Sequence, residues 1–150
     1  MVFGQEDGAG NNTQLHHGIR ADSSPNNIHF GGWGGAADIS DAGAVPEDTW
    51  THVAWQYDGT DKVVYVNGVE TARAAGANQS APTLPVIVGG HGRDAADPAG
   101  QSFNGLLDDV RIYDEVLDAA AIGAIANSIP EPSTIGLLGL ALTGLVRRRR

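Results

Sequence analysis

THVAWQYDGTDKVVYVNGVETARA, residues 51–74, decides the fold. In the first seven residues Val53, Trp55 and Tyr57 fall on one face, and His52, Ala54 and Gln56 on the other. A two-residue period of this kind belongs to a half-buried strand. Asp58-Gly59-Thr60-Asp61 follows, a turn by composition. Residues 62–66, KVVYV, are β-branched and aromatic, as strands favour. Asn67-Gly68 is the dipeptide that best tolerates two positive φ angles, so it closes a tight hairpin into 69–74, VETARA. The stretch predicts a three-stranded antiparallel meander. Its register is constrained, because a slip by one residue would turn Val64 and Val66 to the opposite face.

Working outward, further strands are expected at 14–20, 27–31, 84–89 and 105–113. In the last, Leu106, Asp108, Val110 and Ile112 share a face, and Leu107, Asp109, Arg111 and Tyr113 share the other. Asp118 then caps a short helix, AAAIGAIAN, ending by Asn127. Glycine supplies 21 of 150 residues, about twice its usual share, which favours turns over long helices. Many strands, one late helix and no repeat of 20–50 residues predict an all-β, two-sheet antiparallel sandwich.

The chain is long enough for one domain and little more. Hydrophobic residues make up 41% and charged residues 18%, enough for a packed core. The net charge is −9, and four of the nine bases are Arg147, Arg148, Arg149 and Arg150. Residues 1–146 therefore carry five bases against 18 acids, a balance of −13. So acidic a body repels phosphates, which excludes a nucleic-acid partner. No cysteine is present, which removes disulfides, thiolate catalysis and cysteine-type zinc sites together.

The composition changes abruptly near residue 129, dividing the chain into a body, 1–127, and a tail, 128–150. Residues 133–146, STIGLLGLALTGLV, carry no charge and stand between Pro130-Glu131-Pro132 and the four arginines. As a C-terminal hydrophobic helix the run would span about 21 Å, short of a bilayer core of about 30 Å. A buried helix fits poorly, because the run is apolar on every face and ends in charges that a small domain could not bury. Arginine side chains can snorkel and extend the span, with the basic end cytoplasmic and the body outside.

Pro130, Glu131, Pro132 and Ser133, then the apolar run, then the basic end, resemble the PEP-CTERM sorting signal of Gram-negative bacteria. The resemblance covers roughly the last twenty residues and requires three features in order. It implies recognition by an exosortase at or near the tripeptide and transient residence in the inner membrane. It also implies export to the cell surface or extracellular space. The plainer alternative is an ordinary C-terminal membrane anchor. The start, MVFGQEDGAGNNTQ, is acidic and polar and shows no secretory signal, so a true start upstream of Met1 is expected.

The body resembles the laminin G-like, concanavalin A-like jelly roll. The resemblance rests on Trp50, His52, Val53, Tyr57 and Gly59, then Tyr65, Val66, Asn67 and Gly68. It continues through Gly89, Gly105, Asp108, Asp109, Val110, Arg111, Ile112, Tyr113 and Leu117, and LHHGIRADSSPNNIHFG matches an earlier hairpin. It covers about residues 14–126. Such domains usually have more sequence before this point, which again implies missing first strands.

Some jelly rolls of this kind bind calcium, and Asp94, Asp97, Asn104 and Asp108 are candidate oxygen ligands, with Asn11, Asn12 and Asp22 as other loop candidates. No ordered calcium loop is present, and a solvated acidic loop is the plainer reading. Asp108, if its strand face is buried, needs a hydrogen-bonding or cationic partner. Asp109 is expected to be a surface charge that can pair with Arg111. Laminarinase-like hydrolases of this general fold use a Glu-x-Asp-x-Glu strand, and none of Glu6, Glu47, Glu70, Glu115 and Glu131 lies in that pattern. Adjacent Asp108 and Asp109 diverge and cannot form a glycosidase pair. His16 and His17 diverge likewise, and His52 is expected to be a packed structural histidine. Trp33, within GGWGG, is a candidate sugar-stacking residue if it is not folded over the core. Trp50 and Trp55 are expected in the core.

The expectation is therefore an exported, non-catalytic module that binds extracellular polysaccharide or a surface protein and is sorted by exosortase. The alternative is a polysaccharide-active hydrolase or lyase of the same fold.

Overall fold

In a computed structural model of the chain, the described residues are 2–5, 15–20, 27–31, 38–40, 42–76, 86–90 and 103–128. Seven strands and one helix lie within them. Strands β1 (Phe3–Gln5), β2 (Leu15–Arg20), β3 (Asn27–Gly31) and β7 (Ile87–Val88) form one antiparallel sheet in the order β3-β2-β1-β7. Strands β4 (Val53–Tyr57), β5 (Asp61–Val66) and β6 (Val69–Ala75) form the second, in chain order. The meander read from residues 51–74 is this second sheet.

Its turns take the geometry their residues favour. Asn67 and Gly68 have φ of 50° and 80°, the paired positive angles of a tight hairpin. The Asn67 side chain also accepts the His52 N–H at 3.0 Å, while its own N–H donates to the His52 carbonyl at 2.8 Å. At the other turn Asp58 accepts the amides of Thr60 and Asp61 at 3.0 and 2.8 Å. Arg73 then reaches Asp58, Asp61 and Glu70 at 2.9 to 3.1 Å, fastening β6 to that turn. The backbone amides and Arg73 hold the Asp58 carboxyl below its ordinary range, and Arg73 does the same for Glu70. A bulge interrupts β5–β6: Val64 pairs with Ala72 but Tyr65 with Glu70, leaving Thr71 as the extra residue.

Both faces of β5 are covered. Ile28, Phe30, Ile39, Ala42 and Val64 form the core between the sheets, with Val53, Trp55, Tyr57 and Val66 packed against it. The Trp55 indole N–H donates to the His29 carbonyl at 3.0 Å and so ties the two sheets together. On the outer face Val63 and Tyr65 pack with Ile122 of α1 (Ala119–Ser128), joined by Ala54 and Leu117. The expected alternation of β5 is thus real, but both of its faces are apolar-lined. Lys62 is 1% exposed, with its ammonium 3.5 Å from Asp38 and 5.7 Å from the centre of the Phe30 ring. Those two partners offset the desolvation that makes a lone buried charge costly.

Helix α1 starts where the sequence indicates, with the Ala121 N–H donating to the Asp118 carboxylate at 2.7 Å. It lies on the β5–β6 turn so closely that a Cβ at Gly68 would stand 2.8 Å from the Gly123 Cα and 3.2 Å from the Ala126 Cβ.

Three expectations are corrected. Of the strand expected at 84–89, residues 84 and 85 lie outside the described residues, and within 86–89 only Ile87–Val88 is strand. Residues 105–113 form no ladder: they carry strand-forming side chains, but Asp109 has φ of 51°, which breaks the two-residue alternation. Strand propensity is realised only against a partner, and no strand pairs with this run among the described residues. Trp50, expected in the core, is 37% exposed, because the chain at 46–50 runs outside the sheets.

Candidate functional site

The run 103–117 bridges the two sheets. It leaves β7 with the Phe103 N–H donating to the Gly89 carbonyl at 2.9 Å. It reaches β4 where the Leu117 N–H donates to Gln56 Oε1 at 3.1 Å. Between the run and β4 lies a cavity of about 710 Å³. Phe3, Ile19 and Phe30 give it apolar lining, and Trp50, His52 and Trp55 line it from the meander side. Asp108, Asp109, Arg111, Tyr113 and Glu115 line it from the run. A large concave surface with apolar lining and a few polar groups is the form a binding site takes.

The polar groups are already partly engaged. Asp109 receives two hydrogen bonds from the Arg111 guanidinium, at 2.8 and 2.7 Å. Asp109 and Tyr113 push the Arg111 pKa further up. The pair expected from the sequence is therefore present and exposed; its weight is in orientation, since solvent screens the attraction of an exposed pair. Asp108 is exposed rather than facing a core, and its carboxylate accepts the Asp109 N–H at 2.8 Å. Asn104 is also exposed. The other calcium candidates, Asp94 and Asp97, and the stacking candidate Trp33 lie outside the described residues, as do Pro130, Glu131, Pro132, Ser133 and Arg147 to Arg150. Among the described residues no group of three or more His, Asp or Glu side chains is gathered for a metal ion.

His52 is half-buried, as a packed histidine should be, but its Nδ1 is enclosed without a hydrogen-bond partner. Burial lowers its pKa from the usual 6.5, Arg111 adds in the same direction, and Asp109 opposes. A histidine whose folded pKa lies below the unfolded one binds a proton more readily when unfolded. Its contribution to stability is then fully present above about pH 6.5 and falls away as pH drops towards the folded value. The melting temperature is expected to rise between about pH 5 and 7, and His52→Asn should flatten that rise. Asp58 and Glu70, held low, act below about pH 4.5, outside this window. Equal slopes for the two proteins would contradict the assignment.

The sequence did not indicate the Lys62–Asp38 pair, because no spacing rule connects residues on different layers. Nor did it place Trp50 and Tyr113 at one cavity. The interruption at Asp109 left only a weak signal, the adjacent acids in an otherwise strand-like run.

Comparison with known proteins adds to this geometry. A family model described as the concanavalin A-like lectin/glucanases superfamily, of laminin G type, matches residues 1–123. A second, the PEP-CTERM protein-sorting motif, matches residues 128–150. No curated protein matches the chain. A crystal structure of residues 221–444 of an S-layer domain-containing protein from Clostridium thermocellum is similar at 25% identity, with a TM-score of 0.45. The match covers 81% of this chain and 59% of that one, so the chain spans less than two thirds of its length.

Proposed function

The chain belongs to the concanavalin A-like lectin/glucanase superfamily and carries a PEP-CTERM sorting motif, and on that footing we propose that it is a non-catalytic recognition module displayed outside a Gram-negative cell. The motif implies export through the membrane and processing by an exosortase. The proposed ligand is an extracellular polysaccharide or a surface protein, met at the cavity beside β4. Pro130, Glu131, Pro132 and Ser133 are the proposed recognition residues of the tail, with Arg147 to Arg150 holding its basic end on the cytoplasmic side. Calcium, if it takes part, would use Asp94, Asp97, Asn104 and Asp108, and its addition is one arm of the test below.

The observation that carries the proposal is the pairing of a sandwich over residues 1–123 with a sorting motif over 128–150. Two observations favour the non-catalytic part: no glutamate lies in a Glu-x-Asp-x-Glu strand pattern, and both oxygens of Asp109 are taken by Arg111.

The test uses the full chain in mild detergent against a panel of bacterial polysaccharides and outer-surface extracts, with and without calcium. Saturable binding with no release of reducing ends or unsaturated sugar is the expected result. Turnover of any member of the panel would replace the module with a hydrolase or lyase.

A further inference from the structure

The dipeptide Asn-Gly occurs twice, at Asn67-Gly68 and at Asn104-Gly105. An asparagine before glycine is the most labile of side-chain amides, because glycine has no Cβ to keep its N–H away from the neighbouring carboxamide. As bare sequence the two dipeptides are equivalent, but the fold treats them differently. Asn67 is pinned. Its Oδ1 accepts the His52 N–H at 3.0 Å, and its own N–H donates to the His52 carbonyl at 2.8 Å. It holds φ of 50° in the hairpin loop between the paired residues Val66 and Val69. Bringing the Gly68 nitrogen onto the Asn67 Cγ means rotating that turn. Gly68 is pressed against α1, since a Cβ there would stand 2.8 Å from the Gly123 Cα. Asn104 has none of these restraints. It is exposed, lies in no helix or ladder and has no left-handed φ. Its side chain makes no hydrogen bond among the described residues. What crowds Gly105 is the Phe103 ring, 2.7 Å from where a Cβ would stand, and the end of a side chain can turn aside.

We propose that Asn104 is a deamidation site of the folded protein, and that Asn67, in the same dipeptide, is protected. The co-reactant is water. The Gly105 nitrogen gives its proton to solvent base and attacks the Asn104 Cγ. The N–Cγ bond forms, the Cγ–Nδ2 bond breaks, and Nδ2 leaves as ammonia. The resulting succinimide takes up one water and opens in either of two ways. Hydrolysis at Cγ gives aspartate. Hydrolysis at the backbone carbonyl gives isoaspartate, in which the main chain runs through the former side chain. Either product puts a new negative charge just ahead of Asp108 and Asp109, which line the cavity. Isoaspartate also adds one backbone atom between Phe103, bonded to the Gly89 carbonyl, and the run that follows. The modification therefore alters the approach to the candidate binding site, whatever ligand that site takes.

The test holds the full chain in mild detergent at mildly alkaline pH and follows it by tryptic digestion and mass spectrometry. Residues 63–73, VVYVNGVETAR, and 94–111, DAADPAGQSFNGLLDDVR, each fall between basic residues and carry one asparagine apiece. The expected result is conversion of the 94–111 peptide to aspartate and isoaspartate forms at least about tenfold faster than the 63–73 peptide, because attack at Asn67 must first break the His52 bond and open the turn. In concentrated guanidinium chloride, where the turn is gone, the two should convert at comparable rates. Asn104→Gln should leave the 94–111 peptide unconverted, which separates Asn104 from Gln101 in the same peptide. Equal or faster conversion at Asn67 in the folded chain overturns the proposal. So does a 94–111 peptide that stays unconverted in the folded chain. A tenfold difference that persists in guanidinium chloride overturns it as well, since the fold would then not be its cause.

Discussion

Replacing Gly68 with valine is expected to destabilise the domain by about 3 kcal/mol. Two costs combine. At φ of 80° a β-branched residue is held where L side chains are strongly disfavoured. Its Cβ would also stand 2.8 Å from the Cα of Gly123, a backbone atom that cannot rotate aside. The only relief is to lift α1 from the sheet, which uncovers Val63, Tyr65 and Ile122. A loss of this size lowers the melting temperature of a domain this large by about 10 °C, measurable by circular dichroism. Gly123→Ala is the control. A Cβ there meets only the Gly68 carbonyl at 3.8 Å, an ordinary contact. It should be neutral or stabilising by up to about 1 kcal/mol through helix propensity. If both substitutions cost the same, the close approach of turn and helix is not what constrains residue 68.

Glu131→Ala is expected to stop tail processing, leaving the full-length form in the membrane fraction when the chain is expressed in a host with an exosortase. Glu131 is the one charge between the body and the arginine cluster in residues 128–146, so it is the feature a processing enzyme can distinguish by charge. A site built to pair with a substrate's polar group leaves its own donors unpaired when that group is removed, and discrimination of 10³-fold or more is the usual order of such a loss. Immunoblots of membrane and medium fractions would read it directly. Glu131→Asp, which keeps the charge on a shorter stem, should retain part of the processing. Processing of the alanine variant at the rate of the parent would remove the tripeptide from the recognition argument.

How much of this was legible in advance depended on the range of the forces involved. The meander was legible because its determinants are local: alternation in 53–57, the polar turn at 58–61, and Asn67-Gly68. The Asp118 cap was legible for the same reason, as a short-range bond to Ala121. The hairpin of β2 and β3 emerged from a resemblance and is present as an antiparallel pair. The run 105–113 was misread because its residue types favour a strand, while a strand is completed only by a neighbour. The burial of Lys62 was invisible, since nothing in KVVYV marks the lysine as lying beneath Asp38 and Phe30. The site was legible only in fragments: Asp109 with Arg111 was readable at a separation of two, whereas the gathering of Trp50, His52 and Tyr113 was not.

Helix α1 runs to Ser128, and Pro130 opens the tripeptide two residues later. Two residues reach at most roughly 7 Å even when fully stretched. That is the most chain that separates the folded body from the tripeptide, so an enzyme acting at Pro130-Glu131-Pro132 would work within reach of α1 and of the β5–β6 turn on which it sits. Lengthening that short tether with a few glycines would give such an enzyme room.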